Sequence, residues 1–167
     1  VRTGKDHGEI FDHHFVEFTY ASGAVISSQC RHQPNCMNRV DEVFQGNKGS
    51  IELGKAVITD LEGNETYTYP RRSDQDPNPY QVEHDRLFAS IRNKEVISDA
   101  ENGAKSTLTA ILGRMATYTG QQITMEEALH SKLKLVPDSM NWETRPPTMP
   151  DSDGNYVIPT PGVTKFI

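Results

Sequence analysis

Hydrophobic and polar positions alternate with period two along HFVEFTY (14–20) and again along AVISSQCRH (24–32). The two runs are separated by Ala21-Ser22-Gly23, and together they predict a β-hairpin. Register follows from asking which pairing segregates polarity. A three-residue turn sets Tyr20 opposite Ala24, with Gly23 available for the left-handed position. Val16, Phe18, Tyr20, Ala24, Ile26 and Cys30 then share one face, while Glu17, Thr19, Ser27, Gln29 and Arg31 occupy the other, with Phe15 and Val25 among them. A two-residue turn would mix the two sets. The pattern therefore predicts a sheet covered on one side only.

Beyond a loop at 33–39, the segments RVDEVFQG, GSIEL, AVITD and TYTYP predict short strands, with turns at Asn47-Lys48-Gly49 and Glu62-Gly63-Asn64. The period changes after the loop Arg71–Asn78. Asn78 suits an N-cap and Pro79 the first helical position; Tyr80, His84, Leu87, Phe88 and Ile91 follow as one helical stripe. A second helix is predicted from the capping box Ser98-x-x-Glu101 to Gly120, its core stripe being Ala104, Leu108, Ile111, Leu112 and Met115. Thr124-x-x-Glu127 opens a short third helix ending at Leu129. Six of the ten prolines lie beyond Val136, so an extended surface tail is expected. Strands first, helices second and tail last predict an α+β fold: an open-faced, mostly antiparallel sheet with helices packed on one face. Residues 1–135 are expected as one domain, with 136–167 as a tail packed on it.

Composition narrows the functions available. The 167 residues carry a formal charge of −6, and the nearest basic cluster is Arg71-Arg72, followed at once by Asp74 and Asp76. A nucleic-acid partner is excluded on that ground, since phosphate neutralisation needs clustered Lys and Arg. No apolar run reaches the length of a membrane span. Cys30 and Cys36 read as free thiols. No three of the twelve glycines fit G-x-G-x-x-G, and neither a phosphate-binding G-x-x-x-x-G-K-S/T nor a G-x-S-x-G nucleophile turn occurs. The opening on Val1, within polar residues, leads to the expectation of a domain excised from a longer protein.

Several segments carry a likeness. FDHHFVEFTYASG, SQCRHQPNCMN, GNKGS, NPYQVEHDRLFASIRN, AENGAKSTLTAILGRMATYTGQQITMEEAL and the closing PGVTK resemble, in order, the C-terminal domain of the Gfo/Idh/MocA oxidoreductases. The resemblance is strongest to a bacterial branch whose members often carry a twin-arginine export signal. It implies a large open-faced antiparallel sheet, pairing of subunits through the open face, and an N-terminal Rossmann domain for NAD or NADP that this chain lacks. It also implies hydride transfer at a hydroxyl carbon of a sugar, cyclitol or related polyol. A lysine of the Rossmann part and an Asp/His pair at the start of the second domain usually move the proton. Asp12-His13-His14 is not that pair, because it falls in the strand after it. No catalytic, cofactor-binding or metal-ligating residue is therefore assigned within the chain.

Four residues are candidates for substrate contact: Tyr80, His84, Arg31 and His32. Tyr80 and His84 lie one turn apart near the start of a helix, where a phenol and an imidazole can hydrogen-bond a polyol; the same stripe also fits two core residues with satisfied polar atoms. Arg31 ends the second strand on the polar face, placed to clamp a hydroxyl or carboxylate, to pair with Glu17 across a subunit interface, or to stand as a solvated edge charge. His32 points the other way. The loop Gln33–Arg39, with Asn35, Met37 and Asn38, is a second place for specificity. His14, Cys30 and His32 share a face and would suit zinc, although two packed histidines and a small buried thiol explain them as well.

The expectation is thus the substrate-binding and assembly domain of an NAD(P)-dependent sugar or polyol dehydrogenase, inactive alone, with its own Rossmann domain, a second copy and the sugar as partners. Its compartment is cytoplasmic or periplasmic. The alternatives are a domain of an NAD-dependent glycoside hydrolase of the same family, or a non-catalytic carbohydrate-binding or structural module.

Overall fold

The computed structural model describes residues 10–70 and 76–165. The expected N-terminal loop and most of the loop at 71–78 lie outside the described residues. The chain divides into two compact units, residues 35–98 and the remainder, where the sequence anticipated one body over 1–135. The tail groups with the N-terminal hairpin and the second helix.

The first unit is built on a hairpin of β1 (His13–Thr19) and β2 (Val25–Arg31). Its register sets Thr19 against Val25 and His13 against Arg31, and Tyr20 N–H donates to the Ala24 carbonyl at 2.9 Å. Gly23 takes φ +84° in the turn. The three-residue turn inferred from polarity is the one formed. His14, Val16 and Phe18 are half-buried while Phe15, Glu17 and Thr19 between them are exposed, so one face of β1 is covered; Tyr20, Ala24, Ile26 and Cys30, expected on that covered face, are exposed, because the cover stops at β1.

The cover is α2 (Ala100–Thr119), the element that packs on β1. Leu112, Met115 and Tyr118 are buried, and Leu108 packs against them. Ala104 and Ile111 of the expected stripe are exposed. The helix has rotated its apolar seam toward Leu112, Met115 and Thr119, where Gly113 lets Phe18 approach. The expected capping box at Ser98 is corrected too. Asp99 is the N-cap, its carbonyl takes the Gly103 N–H at 2.8 Å, and its side chain makes no capping bond. Gly120 ends the helix at φ +69°. Its missing Cβ is needed, since one would stand 3.0 Å from Pro161 Cβ, and Gly162 N–H donates to Thr119 O at 2.7 Å. The closing PGVTK segment is thereby tied to the end of α2. The predicted capping box of α3 (Met125–Leu129) is complete: Thr124 Oγ1 accepts from Glu127 N–H, and the Glu127 carboxylate accepts from Thr124 N–H. Residues 131–165 contain no helix or strand.

The second unit holds an antiparallel sheet in sequence order, β3 (Val43–Gly46), β4 (Gly49–Glu52), β5 (Val57–Thr59) and β6 (Glu65–Thr68). Gly46 pairs with Gly49, so the first turn is the two residues Asn47-Lys48, with Gly49 inside the strand. A Cβ on Gly49 would lie 1.9 Å from the Thr59 carbonyl oxygen, which excludes every other residue there. Asp60 organises the β5–β6 turn by accepting from Asn64 N–H at 2.8 Å.

Helix α1 (Pro79–Asn93) starts as predicted, on an Asn78 cap with Pro79 at the first position. Among the described residues it packs on no strand of its own unit, and Tyr80, Leu87, Phe88 and Ile91 of its stripe are exposed. The fold is α+β with open sheets. Strands are divided between a two-stranded and a four-stranded sheet, where the resemblance implied one large sheet.

Candidate functional site

Chemistry-bearing side chains converge where the chain enters the hairpin. Asp12 precedes β1 and is only 7% exposed. It interacts with His13 Nδ1 at 2.5 Å and also accepts a hydrogen bond from Gln33. Its carbonyl accepts from His32 N–H at 2.7 Å. The His13 hydrogen bond is the main cause of a fall in the Asp12 pKa from 3.8 to about 2. An ionised carboxylate only accepts, so His13 Nδ1 carries the proton and Nε2 is left for an outside partner. The His13 side chain is 57% exposed, which makes that nitrogen reachable.

His14, the next residue, faces the opposite way as period two demands. Its Nδ1 lies 2.9 Å from Thr117 Oγ1. That hydroxyl spends its single proton on the Gly113 and Arg114 carbonyls of its own helix, so it accepts from His14 and fixes the Nδ1–H tautomer. Burial is the largest cause of a lowered His14 pKa, with the His13 and Arg114 charges adding to it and Asp12 opposing. The ring stacks on Tyr118 at 6.0 Å and 15°. Tyr118 also meets Phe11 at 4.6 Å, accepts the Phe11 N–H at its hydroxyl, and lies 4.4 Å below the Arg114 guanidinium carbon.

Two of the four residues singled out by sequence belong to this cluster. Arg31 is the cross-strand partner of His13 on the open face, and His32 contributes its N–H to Asp12. Tyr80 and His84 lie in the other unit. Tyr80 is 74% exposed, and His84 Nδ1 turns back 2.7 Å to the Tyr80 carbonyl, so neither is a core residue. Arg114, Thr117 and Tyr118 were not singled out. Their signal is a spacing of three and four along α2, polar and aromatic residues sharing one turn, which acquires meaning only once β1 is placed against it.

The arrangement can hold a hydroxyl compound. A carboxylate-oriented imidazole beside a guanidinium offers an acceptor and donors on an open surface, without a metal. His14 and Cys30 are cross-strand partners, yet among the described residues no group of three His, Cys, Asp or Glu side chains converges to hold an ion. Both cysteines are exposed and neither is in a disulfide.

A groove of about 770 Å³ runs beside this cluster, between the outer edge of β1 at Phe15–Ala21, the α2 residues Thr109, Leu112, Ala116 and Thr117, and the segment Gln121–Met125. Among the described residues no helix is long and apolar enough to cross a membrane. No protein-family model, no characterised protein and no solved structure matches the chain.

Proposed function

We propose that the chain is the substrate-binding and assembly domain of an NAD(P)-dependent oxidoreductase acting on the CH–OH group of a sugar, cyclitol or related polyol. The observation that supports this reading is the half-covered strand β1: α2 backs one face, and His13, held by the buried Asp12, stands with Arg31 on the other. In this reading the domain contributes orientation, holding the reacting carbon while a separate nucleotide-binding part supplies hydride chemistry. His13 Nε2 and the Arg31 guanidinium hydrogen-bond neighbouring hydroxyls, and Asp12 keeps the imidazole in the required tautomer. Tyr80 and His84 remain further candidates for substrate contact. Subunits pair through the face that carries Phe15, Val25 and Gln29.

Calorimetric titration with NADH and NADPH tests the division of labour. The proposal expects no saturable heat from either nucleotide. Tight binding of either one to this chain would overturn it.

A further inference from the structure

Among the described residues, strand β1 has a neighbour on one edge only. The hydrogen bonds to β2 fix which backbone groups face which way: Tyr20 N–H reaches Ala24, and the Asp12 carbonyl receives His32 N–H. Even-numbered residues therefore bond to β2, and His13, Phe15, Glu17 and Thr19 direct their N–H and C=O groups to the opposite edge. Among the described residues no backbone group meets them there. The same edge forms one wall of the groove walled elsewhere by α2 and by Gln121–Met125. Unmet amides along a groove form a template for an added strand.

We infer that the occupant of this edge is β1 of a second copy, paired antiparallel about a two-fold axis through Phe15. The odd-numbered edge permits three close registers, and charge selects among them. Centring on Glu17 sets Glu17 directly against its own copy, two like charges in contact. Centring on Val16 sets Phe15 against Glu17 and leaves the exposed ring opposite a carboxylate. Centring on Phe15 sets Phe15 against Phe15 and His13 against Glu17, an aromatic pair flanked by two contacts free of like charge. Arg31, across from His13 on β2, extends that row, so the Glu17 carboxylate of one copy lies toward the Arg31 guanidinium of the other. Both the N–H and the C=O of His13, Phe15 and Glu17 find partners in this register. The contact is self-complementary and closes, as an isologous dimer must. Phe15 is 65% exposed and becomes covered by its own symmetry mate.

This edge contact is distinct from pairing through the open face and does not depend on the oxidoreductase reading. Sedimentation equilibrium on the wild type and three variants tests it. Glu17→Pro removes an N–H that bonds nothing among the described residues, and edge strands accept proline; Glu17→Lys reverses the charge without touching the backbone. Both are expected to keep the far-ultraviolet circular dichroism of the parent and to weaken dimerisation about tenfold or more. Val25→Glu, on the open face but away from the edge, is expected to leave the edge dimer intact. If Glu17→Pro does not fold, Glu17→Lys alone carries the test. A monomeric wild type overturns the inference, as do Glu17 variants that dimerise normally. Loss of association only in Val25→Glu does so too, while leaving the open-face pairing standing.

Discussion

Gly113 of α2 lies directly beneath Phe18 of β1, so that a Cβ at position 113 would stand 3.0 Å from Phe18 Cζ and 3.6 Å from Val16 Cγ2. The absence of a side chain there is what lets the helix press onto the hairpin. Gly113→Ala gains about 1 kcal/mol of helix propensity but overpacks the contact by about 1–3 kcal/mol. The expected outcome is a net loss of about 1 kcal/mol in urea denaturation. Combining it with Phe18→Leu should recover stability relative to the sum of the two single changes, a coupling characteristic of residues in contact.

Core and surface stripes separate by mutation. Met115 is 2% exposed, so Met115→Ala should cost about 2–5 kcal/mol. Ile91→Ala on α1, whose stripe packs on no strand of its unit, should stay within about 0.5 kcal/mol. Equal costs in chemical denaturation would mean that α1 is packed after all.

Most local structure was legible from residue pattern, because the deciding forces are local. The hairpin register follows from the polarity of Val16, Phe18 and Ile26 against Glu17, Ser27 and Gln29. Asn78-Pro79 and Thr124-x-x-Glu127 mark helix starts because their side chains satisfy amides one turn away. The start of α2 misled, since Ser98 and Asp99 are both good caps and the backbone used the second. The exposed stripe of α1 also escaped, as periodicity reports amphipathicity and not what covers it. The His14–Thr117 and Phe11–Tyr118 contacts join residues more than a hundred positions apart, and neither is written in spacing.

Thr124→Ala removes the hydroxyl half of a complete capping box. A loss of about 1 kcal/mol is expected. The Glu127 pKa, lowered chiefly by the Thr124 backbone hydrogen bond, should move only part of the way back toward its ordinary value, readable by NMR titration.

Two groups shape the acid side of the pH profile, each in its own window. His14 has its folded pKa below 6.5, so the unfolded chain binds protons that the folded chain rejects. Its contribution is fully present above pH 6.5 and is lost as pH falls toward the folded value. His14→Phe should flatten thermal stability across that window while the wild type declines. Asp12, depressed from 3.8 to about 2 by His13, contributes above its unfolded value and loses that contribution as pH falls through about 2. The stability gap between wild type and Asp12→Asn should therefore hold constant at neutral pH and close only in strong acid.

The direct test of the proposed role follows the His13 Cε1–H resonance by NMR while sugars and cyclitols are added at millimolar concentration. The account predicts a saturable shift at His13 for at least one polyol, abolished in Asp12→Asn, with His14 moving far less. Saturable polyol binding that leaves His13 unmoved, or no binding by any polyol while Asp12 and His13 remain paired, would contradict it.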